Sequence, residues 1–154
     1  KSGNADLSAV DTSSAGSNVM AVEMDYHTQF NVVASKKDDG NHEVRIEVTL
    51  DEGWHTYSQF LPGFEGPLST MISFEESDNF ELIGDVAEEN SHRYYDSIWK
   101  CDIIEFSEKA IFVATIKANT DEPFELKGNV NYQVCEDGQC LPPTDQPVQV
   151  TINQ

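Results

Sequence analysis

In HEVRIEVTL, residues 42–50, the apolar Val44, Ile46, Val48 and Leu50 alternate one for one with Glu43, Arg45, Glu47 and Thr49. A period of two puts all four apolar side chains on one face of an extended chain, whereas helical spacing would scatter them around the axis. Short runs of the same kind recur: Phe112, Ala114 and Ile116 share a face, as do Val130, Tyr132 and Val134, and Val148, Val150 and Ile152. Between the runs lie KKDDGN, DEG, LPGFEGP and NTDEP, whose Gly, Pro, Asn and Asp favour turns. No stretch supports three turns of helix, there is no phosphate-cradling glycine loop, and no internal repeat appears. Eight or so short strands at this spacing predict an all-β fold, an immunoglobulin-like antiparallel β-sandwich.

Residues 1–18, KSGNADLSAVDTSSAGSN, are small and polar and are expected to form a flexible tether, leaving 19–154 as one sandwich domain. Starting at Lys1 without a charged-then-apolar leader, the chain reads as processed or excised at its N-terminus. At 154 residues it can bury a sizeable core without help from a disulfide. Against 9 Lys and Arg stand 28 Asp and Glu, a formal charge of -19, which argues against nucleic acid or an anionic membrane as partner. No run approaches the roughly 18 apolar residues of a membrane helix, so direct membrane insertion of this chain is not expected.

The segment NYQVCEDGQCLPP, residues 131–143, holds two of the three cysteines. Asp-Gly between strand-like runs is the signature of a two-residue hairpin turn with positive φ at both central positions. Counting outward from Asp137 and Gly138, Glu136 faces Gln139 and Cys135 faces Cys140. The cysteines thus form a non-hydrogen-bonded pair with Cα atoms about 4.5 Å apart, close enough for a disulfide at the short edge of its usual range, where strain favours opening. Pro142 and Pro143 stop sheet pairing just beyond, keeping the bridge near an accessible edge. So short a loop constrains the unfolded chain little, and as a staple the bridge would be poor.

On these residues alone, an inert cross-strand disulfide and a redox pair both fit. Metal binding lacks a second half-site, since His27, His42, His55 and His92 are scattered singly, and no cofactor is implied. A cysteine hydrolase would need a base and an oxyanion site that nothing identifies.

VNYQVCEDGQCLPP closely resembles the cysteine segment of the DsbD N-terminal periplasmic domain family, in which Tyr-Gln, two cysteines four or five apart and a following Pro-Pro recur together. DEGWHTYSQ, residues 51–59, is similar to the same family's Gly-aromatic-x-x-Tyr strand, and the resemblance spans roughly residues 25–152. It implies an immunoglobulin-like domain that takes two electrons from a thioredoxin-like donor domain. The electrons then pass to periplasmic disulfide-containing acceptor proteins, such as isomerases and cytochrome c maturation proteins. By position, Cys135 and Cys140 become the redox pair, with Cys140 forming the mixed disulfide. His55 and Tyr57 match pocket-lining positions. RYYDSIWKC, residues 93–101, matches a mobile cap loop in which Ile98 or the adjacent Trp99 is the cover. The pocket and cap then comprise His55, Tyr57, Tyr95, Asp96, Ile98, Trp99 and Tyr132, while Trp54 reads as ordinary strand packing. The resemblance makes the chain a component of a protein-disulfide reductase system in the periplasm or cell envelope. It is either an excised domain or a stand-alone relative, for which residues 1–18 are the candidate membrane attachment.

Exchange requires a thiolate, and the neighbouring Glu136 and Asp137 are expected to disfavour one at Cys135 or Cys140. Reactivity towards generic oxidants should then be poor outside a docked complex. The membrane and thioredoxin-like domains of the full family protein are not in this sequence. Cys101 is an extra cysteine, expected to serve as a small hydrophobe. A different class also fits: a non-redox acidic interaction module using Tyr94, Tyr95 and Trp99 as its contact patch.

Overall fold

The computed structural model describes residues 25–62 and 67–154; the expected tether lies outside them. The described residues form twelve strands and no helix, so no helix there is long and apolar enough to cross a membrane. Four strands, β1 (Thr28–Lys36), β2 (His42–Leu50), β8 (Lys109–Ala118) and β5 (Phe80–Glu89), pair in the order β1-β2-β8-β5. Three more, β12 (Thr144–Ile152), β9 (Phe124–Tyr132) and β4 (Met71–Phe74), pair as β12-β9-β4. A third sheet contains β11 (Gln139–Cys140), β10 (Cys135–Glu136), β3 (His55–Tyr57), β7 (Cys101–Ser107) and β6 (His92–Asp96), in that order. Every pairing is antiparallel, as expected of an immunoglobulin-like β-sandwich.

The alternation in HEVRIEVTL does what its period requires. Val44, Ile46, Val48 and Leu50 are all buried, and across the β2–β8 pairing Val44 faces Ala114 and Ile46 faces Phe112. They share one core with Leu126 and Val130 from β9 and Val148 and Ile152 from β12. At β1 the N-terminal approach is pinned by His27, whose ring stacks on Trp54 with centroids 4.2 Å apart and whose Nδ1 lies 3.0 Å from Asp51 Oδ2. Trp54 therefore packs against the core edge, consistent with the structural role expected of it.

Segment 93–101 departs from the loop expected there. Arg93–Asp96 belongs to β6 and Cys101 opens β7, which leaves only residues 97–100 as the connecting turn. The tyrosines and aspartate of this stretch have strand partners because β6 and β7 fold back on one another as a hairpin, with Tyr94 opposite Ile103 and Asp96 opposite Cys101.

Glycine is required at one point inside the sandwich. A Cβ on Gly128 would stand 2.6 Å from the Ser73 carbonyl and 2.9 Å from Phe74 Cδ1, in the β4–β9 pair. Gly128→Val is expected to cost about 1–3 kcal/mol through overpacking, measured as a lower urea midpoint. An unchanged midpoint would mean β4 is free to shift away, contrary to a fixed β4–β9 contact.

Candidate functional site: the cysteine hairpin and its sheet face

The hairpin forms as its sequence requires. Asp137 and Gly138 have φ of 47° and 79°, both in the left-handed region that a tight two-residue turn needs. Glu136 pairs with Gln139 and Cys135 with Cys140. The two cysteines are disulfide-bonded, with Cα atoms 4.0 Å apart.

Register decides what this disulfide faces. Cys135 pairs with His55, His55 with Ser107, and Tyr57 with Glu105. On the next strand His92 pairs with Glu105, Tyr94 with Ile103, and Asp96 with Cys101. Directly opposed residues share a face, and so do residues two apart along a strand. One face of the sheet therefore carries Cys140, Cys135, His55, Tyr57, Ser107, Glu105, Ile103, Cys101, His92, Tyr94 and Asp96. The opposite face sends Phe106 into the main core. On the cysteine face, Tyr57, Ile103 and Cys135 form a smaller apolar cluster, with Leu61 and Cys101 against it.

The two sulfurs differ sharply. Cys135 is 5 % exposed, whereas Cys140 is exposed to solvent. Gln133, just before the hairpin, ties it down: its Nε2 donates to the Leu141 carbonyl at 3.1 Å, its Oε1 accepts from the Leu68 N–H at 3.1 Å, and its own carbonyl accepts from Thr56 Oγ1 at 2.8 Å. The Leu141 N–H closes onto the Val134 carbonyl at 3.0 Å. The residues on either side of the hairpin are thus locked together, and the sulfurs are presented from a fixed base.

Glu105 is the polar centre of the face. Its side chain is 14 % exposed; Oε2 lies 3.8 Å from His55 Nε2, and Oε1 accepts from the Tyr94 hydroxyl at 3.3 Å. Burial, and then the Glu105 charge, raises the Tyr57 phenol above its ordinary value. Burial, the Glu105 charge and its hydrogen bond to that carboxylate push Tyr94 up to about 12. Both phenols are therefore held neutral.

The expected pocket residues separate into groups. His55, Tyr57 and Asp96 lie on the cysteine face. Tyr95 pairs with Asp102 and points to the other side of β6. Tyr132 is in the main core, hydrogen-bonded to Thr28 at 2.8 Å. Ile98 and Trp99 sit in the β6–β7 turn, 83 % and 45 % exposed, with their N–H groups donating to Asp96 Oδ1 at 2.8 and 2.9 Å. The Asp96–Cys101 rung stands six residues along β7 from Ser107, the rung of His55, or about 20 Å of strand. Glu136 and Asp137, expected to depress thiolate formation, flank the sulfurs differently: the Glu136 carboxylate lies beside Gly53, while Asp137 is in the exposed turn. Glu105, Ile103, Leu61 and Gln133 had no role assigned from sequence. Of these, Gln133 alone carried a signal, its place beside Tyr132 in the cysteine segment.

A family model described as "Thiol:disulfide interchange protein DsbD, N-terminal" matches residues 21–152. The chain belongs to the DsbD N-terminal domain family. Solved structures agree on the fold. The N-terminal periplasmic domain of ScsB from Proteus mirabilis superposes with a TM-score of 0.58 at 19 % identity, covering 85 % of this chain and 49 % of that one. This chain thus spans about half the length of that relative. The reduced DsbD N-terminal domain of Neisseria meningitidis gives 0.53 at 18 % identity, covering 81 % and 86 %. No curated protein sequence gives a significant match. With a disulfide at the family's cysteine segment, this DsbD N-terminal domain is a thiol–disulfide exchange module.

The raised Tyr94 phenol carries a pH signature. The folded state favours the neutral phenol, so its stabilising contribution is full below the ordinary phenol range near pH 10. It is lost as pH rises from there through about 12. Tyr94→Phe should therefore lose less stability than the parent between about pH 9 and 11.5, read from urea midpoints. Equal alkaline losses in both proteins would remove Tyr94 from this linkage.

Proposed function

We propose that this domain relays two electrons between a thioredoxin-like donor and disulfide-containing acceptor proteins of the periplasm, with Cys140 as the sulfur that enters mixed disulfides. The observation that carries this reading is the asymmetry of the pair. Cys140 is exposed at the end of a two-residue strand, and Cys135 is buried in an apolar cluster. Exchange proceeds by in-line attack on an accessible sulfur, so an incoming thiolate meets Cys140 first and Cys135 is the leaving sulfur. A complex between the DsbD N-terminal and PilB N-terminal domains of Neisseria meningitidis, one of the solved structures that share this fold, supports a protein partner for the family.

The β6–β7 turn is the candidate gate. Ile98 and Trp99 are apolar, exposed and mounted on the hairpin that Asp96 caps, and the strands beneath them share the cysteine face. In this arrangement Cys140 is reachable from solvent. Localisation in the periplasm, and attachment through residues 1–18, belong to the same reading. Glu136 and Asp137 beside the cysteines, with Glu105 on the same sheet face, disfavour stray thiolate, which leaves exchange to complexes that position the attacking sulfur.

The Cys135–Cys140 reduction potential is expected between about -180 and -270 mV, the range of exchange proteins. A Cys135→Ser variant should form a mixed disulfide with an oxidised thioredoxin-like domain much faster than Cys140→Ser does. A potential below about -300 mV would instead make the bridge a staple and the domain a non-redox interaction module.

A further inference from the structure

Resting on the relay reading, the leaving step raises a problem the structure helps to resolve. Attack on Cys140 expels Cys135 as a thiolate into a site 5 % exposed and walled by Tyr57 and Ile103. An apolar surround disfavours the charged form, and a sulfur that is reluctant to become a thiolate leaves slowly. Something on that face must neutralise it.

The register narrows the choice. Of the groups on the cysteine face, Glu105 and Asp96 are carboxylates, and the Tyr57 and Tyr94 phenols are held neutral. Arg93 faces the other way and is bound to Asp102 at 2.9 Å. The groups there that can carry positive charge are His92 and His55. His92 lies on the outer strand β6, its ring 5.9 Å from Tyr94, with β7 and β3 between it and the cysteines. His55 is the direct strand partner of Cys135, and directly opposed side chains have Cβ atoms about 5 Å apart. Behind His55, on the side away from the sulfur, stands the part-buried Glu105 carboxylate, 3.8 Å from Nε2.

We infer that His55 is the acid for the leaving sulfur, and that Glu105 is its positioning residue. The donor thiolate attacks Cys140 Sγ, forming the intermolecular S–S bond. The Cys135–Cys140 bond breaks, its electron pair goes to Cys135 Sγ, and that sulfur takes a proton from the His55 imidazolium. His55, now neutral, regains a proton from water. A second donor thiol then attacks its partner's sulfur in the mixed disulfide and releases Cys140 as thiolate, completing the two-electron transfer. When the domain passes electrons on, the same path runs backwards, with neutral His55 accepting the Cys135 proton. The charged group facing His55 is Glu105 from β7, 3.8 Å from Nε2, while β10 presents the cysteine itself and Asp96 on β6 lies about 20 Å of strand along the face.

The test uses dithiothreitol as the reductant, so that no docking partner is involved. Rate constants for opening the bridge are measured by thiol trapping between about pH 5 and 8, where histidines change charge, and expressed per dithiothreitol thiolate. In the parent domain this constant should rise towards low pH. In His55→Gln the rise should vanish, leaving the rate at low pH at least about tenfold slower, and Glu105→Gln should blunt the rise without abolishing it. His55→Asn replaces His55→Gln should the latter fail to give the parent's circular dichroism spectrum. A His55 variant that is folded and keeps the parent's acid limb overturns the assignment. The relay reading fails separately, by a potential below the exchange range or by absence of mixed disulfides with protein partners, and neither result moves the dithiothreitol profile.

Discussion

The site hangs on a single rung of sheet, the pairing of Cys135 with His55. Strands β10 and β11 have two residues each, too few to hold a hairpin in water on their own. Joined through that rung to β3, and through β3 to β7, the hairpin inherits the register of a five-stranded sheet. A slip of one residue would turn Cys135 to the face occupied by Phe106 and bring Glu136 opposite His55. The prolines after Leu141 end the pairing, and Gln133 fixes both flanks with side-chain hydrogen bonds. The disulfide is therefore oriented by the sheet, although it sits at the sheet's end.

That arrangement explains which parts of the site could be read in advance. The turn, the Cys135–Cys140 pairing and the facing of Glu136 with Gln139 follow from Asp-Gly and counting, because a two-residue hairpin leaves no freedom in its register. The core face of β2 follows from alternation. His55 and Tyr57 came through family resemblance; no local pattern marks a histidine as the neighbour of a cysteine eighty residues away. Glu105 was invisible for the same reason with one more step, since its role depends on the registers of β3, β6 and β7 together. Tyr132 shows the converse: it is in the cysteine segment by sequence, but three residues before Cys135 the chain is still in β9, and its side chain joins the main core. Residues 93–101 match a cap loop only through the family resemblance, and their pairing as β6 and the start of β7 leaves 97–100 as the turn.

The same sheet face carries two opposed requirements. Apolar packing of Tyr57, Ile103 and Leu61 around Cys135 keeps water and stray oxidants from one sulfur, and nearby carboxylates work against thiolate at either. Both effects slow unassisted exchange. A domain that must trade electrons with chosen partners gains from that slowness, since a partner that docks supplies its own sulfur in line and excludes competing solvent.

Slow exchange with strangers and fast exchange with partners are compatible only if the barrier lies in approach and in stabilising the leaving sulfur, rather than in the bond itself. Approach is governed at the exposed end, where Cys140 is open to solvent. Departure is governed at the buried end, where His55 is the cation-capable group paired directly with Cys135 and Glu105 holds it from behind. The two ends meet at Glu105, which also accepts from Tyr94 on the strand leading to the turn.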